Sequence, residues 1–583
     1  MSYQSPVADI LFSLQHVAGL DGEIRAGLFG ELDMETVASV VSEAGRFATD
    51  VIAPLNRIGD TEGARYENGV VTHPKGFREA YRAWAEAGWA GVTAVAEYGG
   101  MGLPHSVNVA CGEIWNGASM GFALCPLLSE GAIGALNAHG AAELRDVYMR
   151  KMVSGEWTGT MNLTESQAGT DLNLVNSRAE RAADGSYRVF GQKIFITYGE
   201  HDLADNIIHL VLARLPEAPA GTRGLSLFLV PKYLVKPDGS LGGRNDARCA
   251  SIEHKLGIHA SPTCVMVYGD NGGATGYLVG QENRGLAAMF VMMNSARLAV
   301  GMQGVAIGER AYQHALAYAR DRKQGRAGGP GMAAIVEHPD VHRMLLTMKS
   351  YVQAARGICH LTGVAIDRSF HAATAEERAA AGERAALLTP IAKAFSTDIG
   401  DEVATLGVQV HGGMGYIEET GAAQFMRDAR IAAIYEGTNG VQAIDLVTRK
   451  LSLSGGATAQ REIAGIRAVI ADVAARGGEA FGATAARLGE AADALERATT
   501  FLGNAPSEAA LAGATAYLRL FGLALGGACL AKAGLAEQGG GGRVALARFF
   551  AEKLAIAAPG LAESVLSGAG ALETYEAALR EFA

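Results

Sequence analysis

The sequence predicts a mainly α-helical protein with a β domain inserted between helical ones and an additional helical domain at its C-terminal end. Three observations predict this. Residues 34–154 carry amphipathic helical periodicity, residues 155–276 change to short runs of strand character, and from 285 onward helical periodicity returns and outlasts a small-residue junction near 454. At 583 residues the chain exceeds one ordinary core, so two to four packed units are expected.

In chain order, 34–51 and 76–87 read as helices, with loops at His73-Pro74-Lys75 and Tyr98-Gly99-Gly100-Met101-Gly102. Strands are expected at 177–182, 187–197, 207–215, 224–230 and 263–268, and Ala183-Asp184-Gly185 between the first two is a hairpin signal. Long helices follow at 297–322, 341–366, 383–410 and 423–434, interrupted by a Gly-rich exposed loop at 325–334. Ser454-Gly455-Gly456-Ala457-Thr458 reads as a linker, and the Ala/Leu-rich tail places helices near 462–475, 480–502, 508–536 and 544–557. The expected division is therefore an N-terminal extension (1–33), an N-terminal helical domain (34–155), a middle β domain (156–285), a C-terminal helical domain (286–453) and an additional helical domain (459–583).

Acidic residues exceed basic ones by 61 − 50 = 11, so no general positive field exists for nucleic acid or an anionic membrane. The six cysteines show no Cys-x-x-Cys spacing, which indicates neither a zinc site nor a disulfide framework. The first twenty residues lack a basic n-region and an unbroken apolar core, and no uninterrupted apolar stretch of membrane length is evident, so a cytoplasmic protein without stable membrane association is expected.

The most informative motif is Tyr435-Glu436-Gly437-Thr438-Asn439-Gly440, which sets one carboxylate at a glycine-broken junction between two helical stretches. Such a carboxylate can face a ligand as a base, while the backbone N–H groups opening the next helix can face a carbonyl or phosphate. A lone Glu-Gly is more often a helix end or an arginine's partner, and the weight comes from other motifs upstream. Met161-Asn162-Leu163-Thr164-Glu165-Ser166-Gln167-Ala168-Gly169-Thr170-Asp171 gathers hydroxyls and backbone donors where the helical domain meets the first strands, although alone it reads as a capped loop. Phe195 and Thr197, two apart at a strand end, share a face, which suits either a core pair or a flat heteroaromatic ring. Met289, Met292, Met293 and Met302 at helical spacing read as core filler, with a soft lining for a sulfur-containing acyl chain as the minor alternative.

In their order, these segments resemble the acyl-CoA dehydrogenases. The Thr164-Glu165 to Gly169-Thr170-Asp171 run is similar to that family's first flavin signature, Phe195-Ile196-Thr197 to its Trp-Ile-Thr, and Lys255-Leu256-Gly257 with Ser261-Pro262-Thr263 to its Lys-Met-Gly and Ser-Pro-Thr. Asn294-Ser295-Ala296-Arg297 looks like the start of its core helix and Arg320-Asp321-Arg322-Lys323-Gln324 like its arginine segment. Gln409 to Gly415 matches its Gln-x-x-Gly-Gly-x-Gly, and Tyr435 to Thr438 its Tyr-Glu-Gly-Thr. The chain departs from the pattern at Ser166-Gln167, at Phe195 in place of Trp, and at Gly325 in place of an aromatic.

The resemblance implies an N-terminal α domain, a middle β-barrel or sandwich and a C-terminal four-helix bundle. It implies FAD as cofactor, an acyl-CoA substrate oxidised to a trans-2-enoyl-CoA, electron-transfer flavoprotein as acceptor and a homodimer sharing flavin across subunits. Glu436 would be the catalytic base, strengthened when bound acyl-CoA buries it. Ala296 stands where some branches carry their base, and alanine takes no proton. Met161, Leu163, Thr164, Thr170, Phe195 and Thr197 would contact the flavin ring, with Thr438 and Gly440 also on the cofactor. Arg322, Gln324, Gln409 and Gly413 would meet the diphosphate and adenosine, and Arg297 and Thr170 the substrate. Chain length, the 199–203 segment, the 224–253 stretch and the tail resemble a branch that converts 3-methylmercaptopropionyl-CoA to methylthioacryloyl-CoA. A general medium- or long-chain dehydrogenase is the alternative, with an acyl-CoA oxidase or a nucleic-acid-binding flavoprotein further behind.

Overall fold

In the computed structural model, which describes residues 3–329, 331–538, 541–568 and 572–582, helices pack on one face of an eight-stranded sheet, whose other face builds a core from strand and loop residues. The helix Met34–Phe47 starts where the Asp33 carboxylate accepts the Thr36 N–H at 2.7 Å, and its Val37, Val41 and Ala44 face inward at helical spacing. The segment His105–His139 is two helical arms broken at Ser119, whose backbone is extended (φ −159°, ψ 106°). The Asn108 side chain of the first arm lies against Glu130 of the second, so the arms fold back on each other. Asp367, from the helix Pro339–His371, accepts the His105 and Ser106 N–H groups at 2.6 and 3.0 Å and thereby caps the first arm.

The sheet runs in the order Ala247–Ile252, Thr263–Tyr268, Tyr187–Thr197, Ala274–Val279, Leu225–Pro231, Asn206–Arg214, Trp157–Asn162, and Arg178–Arg181 pairs with both Tyr187–Thr197 and Asn206–Arg214. Trp157–Asn162, Ala247–Ile252 and Ala274–Val279 are strands that the sequence pattern did not mark. Two of them carry glycine, which weakens the local signal, and their places are set by neighbours. At Gly159 an added Cβ would fall 2.4 Å from the Ala132 Cβ, so glycine lets the second arm lie directly on the sheet.

The bundle is built from Gly285–Asp321, Pro339–His371, Ala375–His411 and Ala422–Ala429. The first of these begins at Gly285 rather than at 297, because Ala288, Met289, Met292 and Met293 are buried against the second arm and the sheet; these methionines serve as core. Gly301 and Gly304 sit against the backbone of Ala392 and Ser396, where an added Cβ would come within 2.7 and 2.2 Å of their carbonyl oxygens. This close crossing brings the Arg297 and Lys393 helices together.

Arg356, fully buried, donates to Glu113 (2.9 and 3.0 Å from Nε) and to Glu309 (3.0 Å), locking the first arm to two bundle helices. Arg356→Met strands two buried carboxylates and is expected to cost about 3–5 kcal/mol, read as a large fall in Tm or loss of soluble protein. Adding Glu113→Gln in the same chain is expected to restore part of the loss.

The 454–458 segment is a fixed turn rather than a flexible linker. The Ser454 and Thr458 hydroxyls both donate to Glu383, and the helix Ala457–Arg476 starts at once. The tail then packs on the bundle: Gly522 on Ser507–Ala536 lies where a Cβ would meet the Phe395 ring at 2.2 Å. Near the N-terminus Asp9 pairs with Lys349 of the bundle at 2.8 Å and Arg543 of the tail at 2.9 Å.

The expectation about apolar stretches needs correction. By length and composition His105–His139, Gly285–Asp321 and Ser507–Ala536 are apolar enough to cross a membrane. They are apolar all round because the fold surrounds them: 83%, 61% and 83% of their most apolar windows are buried.

Candidate functional site

Glu436 and Gly437 both adopt left-handed backbone conformations (φ 57° and 83°) between the turn Arg430–Ala433 and the helix Asn439–Asp445. For a glutamate this conformation costs about 1–2 kcal/mol, so it persists only because the surroundings fix it. Tyr435 donates its hydroxyl to the Gln303 side chain of the Arg297 helix. Gln442 donates to the Glu436 and Gly437 carbonyl oxygens at 3.2 and 3.3 Å, and the Thr438 hydroxyl accepts the Val441 N–H at 3.2 Å. Among the described residues no acceptor engages the Glu436 backbone N–H.

The third anchor is Lys393, whose residue surface is entirely buried. Its Nζ donates to the Gly437 carbonyl at 3.0 Å and to Asn439 Oδ1 at 2.8 Å, while the Asn439 amide donates to Asp398 at 2.6 Å. Burial lowers the Lys393 pKa to about 8, opposed by Glu436 and Asp398. Glu436 keeps some accessible surface, yet protein atoms crowd it; that burial raises its pKa to about 7, with Arg297 and Lys393 pulling the other way. Arg297 is 8% exposed, donates to Asn294 at 3.4 Å and stands 3.9 Å from Asp445. It lines a cavity of about 690 Å³ between the two arms and the bundle. A carboxyl poised near neutrality beside a free N–H and two cations can take a proton from carbon while neighbouring donors hold an oxygen.

A second group gathers on the sheet. Met161 is the last residue but one of the strand Trp157–Asn162, and Leu163, Thr164 and the exposed Thr170 lie in the loop behind it. That loop is held by Glu165, which accepts from Lys193 Nζ (2.8 Å), the Asn176 and Ser177 N–H groups (2.7 and 3.0 Å) and the Ser177 hydroxyl (2.7 Å). Burial alone would raise the Glu165 pKa, but Lys193 and these donors hold it at about 2. Lys193 also donates to the Leu163 carbonyl at 3.1 Å. A bulge interrupts the pairing of Tyr187–Thr197 between Lys193 and Ile196, where Phe195 takes φ 59° and exposes 58% of its surface. Simple alternation therefore does not extend through Phe195; the bulge turns its ring outward, with Thr197 part-buried beside it.

The third group lies at the far end of the bundle. Arg322 caps Gly285–Asp321 and Gln324 follows, while Gln409 and Gly413 flank His411 at the end of Ala375–His411; all four are exposed. Tyr318 stacks on His411 with ring centroids 4.4 Å apart, so these four residues share one end. Lys393, at the Glu436 turn, is eighteen residues before His411 on one helix, about 27 Å at 1.5 Å per residue. The structure thus gathers Glu436, Thr438, Gly440 and Arg297 in one place, the sheet residues in a second, and Arg322, Gln324, Gln409 and Gly413 in a third.

Glu165 and Lys393 hold the two turns in place although neither is marked as a site residue by its motif. Lys393 carried a signal, a lone lysine inside the apolar run Leu387 to Phe395 of a long helix.

A glycine-broken base on a helical bundle and an exposed ring on an inserted sheet match the acyl-CoA dehydrogenases, and the chain belongs to that family. The family models for the N-terminal, middle and C-terminal domains of acyl-CoA dehydrogenase match residues 35–156, 160–270 and 283–451, and an acetyl-CoA dehydrogenase C-terminal-like model matches 463–575. The protein is accordingly an FAD-dependent oxidoreductase that dehydrogenates acyl-CoA. It is 48% identical over 573 residues, 95% of this chain and 96% of the other, to the 3-methylmercaptopropionyl-CoA dehydrogenase of Ruegeria pomeroyi. It is 36% identical to a butyryl-CoA dehydrogenase of Syntrophomonas wolfei, covering 76% of this chain and 74% of the other. Two solved structures share the fold over nearly the whole chain. They are Caenorhabditis elegans ACDH-11 in complex with C11-CoA (TM-score 0.77, 19% identity, 95% of this chain and 92% of that one) and a Bacillus anthracis acyl-CoA dehydrogenase with FAD (TM-score 0.73, 20% identity, 94% and 92%).

Proposed function

We propose that the acyl group oxidised is 3-methylmercaptopropionyl, giving methylthioacryloyl-CoA, with Glu436 as the base. The observation that carries the role of Glu436 is the turn itself: a carboxyl brought to about pKa 7, next to a backbone N–H with no partner among the described residues. The thioether substrate is supported by the 48% relative, which matches this chain along nearly its whole length, tail included. Glu436 takes the proton from the α carbon, and its own N–H holds the thioester oxygen as charge moves onto it. Arg297 and Lys393 keep the carboxylate available near neutral pH. When bound, FAD supplies the hydride acceptor for the β carbon.

The residues fit that cofactor. Phe195 offers an uncovered ring face, the loop 163–170 is held rigid by Glu165, and Gly412 and Gly413 have open space where a side chain would stand. The separation of about 27 Å between the Lys393 and His411 levels supports a dimer, in which Arg322, Gln324, Gln409 and Gly413 serve a cofactor held mainly by the partner subunit. The exposed Met414 and Tyr416 beside them supply apolar surface for such a contact. Electron-transfer flavoprotein is proposed as the electron acceptor. Glu165→Ala strands the buried Lys193 ammonium and loosens the loop; the purified variant is expected to lose most of its FAD, measured as the flavin-to-protein absorbance ratio.

The deciding experiment is anaerobic titration of the holoenzyme with 3-methylmercaptopropionyl-CoA and saturated acyl-CoAs of several lengths. The thioether is expected to bleach the flavin fastest. Faster bleaching by butyryl-CoA or a medium chain would reject the thioether assignment in favour of a general acyl-CoA dehydrogenase.

A further inference from the structure

Beneath the strand that leads into the Leu163–Thr164 segment runs a chain of buried hydrogen bonds. Side chains alternate along Trp157–Asn162, so Thr158, Thr160 and Asn162 share the face opposite Gly159, which lies against the second arm. Val211, in register with Asn162 on the neighbouring strand, belongs to the apolar core on this side. Tyr268, from the second strand in the sheet order, reaches across that interior and donates its hydroxyl to Asn162 Oδ1 at 2.7 Å. Asn162 Nδ2 donates to Thr160 Oγ1 at 2.9 Å, and the Thr160 hydroxyl in turn donates to His209 Nδ1 at 2.8 Å. All four residues are at most 2% exposed. Burial lowers the His209 pKa to about 3, so its imidazole is neutral and able to accept.

Apolar side chains would fill this space without desolvating polar groups, but dispersion contacts carry no direction. A side-chain amide bonded through both its oxygen and its nitrogen cannot turn, so the Asn162 backbone is fixed, and with it the peptide groups that follow. Leu163 and Thr164 come next. Their carbonyl oxygens are engaged, by Lys193 Nζ at 3.1 Å and by the Ile194 N–H at 2.9 Å, while their N–H groups have no acceptor among the described residues. Trp157–Asn162 is also the last strand in the sheet order, with one edge unpaired among the described residues. Two donors are thus presented, from a rigid strand end, where the site opens.

We propose that Tyr268, Asn162, Thr160 and His209 are positioning residues for FAD: their hydrogen-bonded chain aims the Leu163 and Thr164 N–H groups at the polar edge of the flavin ring and so sets how readily the ring takes electrons. Donation to that edge stabilises the negative charge that reduction places on the ring, so the intact chain raises the reduction potential. The inference rests on FAD as the cofactor and is independent of the acyl group oxidised and of the role of Glu436.

The test is the equilibrium of the holoenzyme flavin with a redox dye of known potential, without oxygen or substrate. Thr160→Val keeps the shape but removes the hydroxyl that joins Asn162 to His209, and Tyr268→Phe removes the other bond to Asn162. Each is expected to shift the ratio of oxidised to reduced flavin about tenfold toward the oxidised form, about 30 mV for two electrons. Together they are expected to shift it by less than the sum, because both act through Asn162. Thr160→Ser is expected to keep the wild-type ratio. The control is Thr158→Val, on the same face of the same strand: Thr158 bonds His201 Nε2 at 2.9 Å and the Asn206 carbonyl at 3.5 Å rather than this chain. It is expected to lower Tm and leave the ratio alone. A ratio unmoved in Thr160→Val and Tyr268→Phe, with Tm falling as in Thr158→Val, would make the chain ordinary core and overturn the proposal. An equal shift in Thr158→Val would overturn it too. Either of the two main variants decides alone if the other yields no soluble protein, and failure of the thioether to bleach the flavin counts only against the thioether assignment.

Discussion

Glu436→Gln is expected to leave a yellow, folded protein whose flavin no longer bleaches with any acyl-CoA. The amide keeps the size of the side chain and the backbone N–H, so cofactor and substrate binding survive; what goes is the lone pair that takes the α proton. The rate of flavin reduction, followed by stopped flow, should fall on the order of 10²–10⁴-fold or more, the usual worth of a positioned base. The wild-type profile follows from the raised pKa. The base works deprotonated, so the rate should fall as pH drops through about 7. The linked effect on stability has the opposite sense. The native carboxyl binds its proton more tightly than the unfolded one, whose pKa is near 4.5, so native stability falls as pH rises between 4.5 and about 7. Glutamine carries no such penalty, and at pH above 7 the Tm of the variant should equal or exceed that of the wild type. A Tm well below the wild type, or turnover left intact, would remove Glu436 from the role of base.

How much of this site was legible depended on whether the signal was local. The order of helical and strand-like stretches, the Glu436 turn and the surface residues Arg322, Gln324, Gln409 and Gly413 all stand in short motifs, so residue type and spacing were enough. The strand Ala274–Val279 was not marked, because its pairing with Leu225–Pro231 and Tyr187–Thr197 is made by partners distant in sequence. The Phe195 bulge was hidden for the same reason: it is a mismatch of register with Thr263–Tyr268. Ser454-Gly455-Gly456 has the composition of a linker, yet Glu383 pins it from another helix. The three long apolar helices have the composition of membrane spans because so much of each is enclosed by other elements. Lys393 was legible only as an oddity; its purpose appears once Gly301 and Gly304 bring two helices into backbone contact beside the Glu436 turn.

Lys393→Met should slow flavin reduction about ten- to a hundredfold with little change in KM. Methionine keeps the length and apolar stem but removes two hydrogen bonds, to Gly437 O and Asn439 Oδ1, and a positive charge that acts on Glu436. The first loss frees a strained turn, and a base displaced by even 1 Å forfeits much of its orientation. The second removes one of the two cations opposing the burial of Glu436, so the acidic limb of the pH profile should move upward from about 7. In the wild type the ammonium is held to about pKa 8, so a second, alkaline limb should appear above about 8 as the charge is lost, and this limb should vanish in Lys393→Met. The other charges acting on Lys393 come from Asp398 on its own helix and Arg297 opposite, with Arg519 and Glu402 reaching Asp398 from behind, and all of these remain in the variant. A purely structural lysine would lower Tm and yield while leaving both limbs where they were, so the pH profile separates the two roles. Lys393→Arg should keep the charge but not the geometry, since a guanidinium fork cannot reproduce the single Nζ position. It is expected to hold the acidic limb near 7 while recovering only part of the rate.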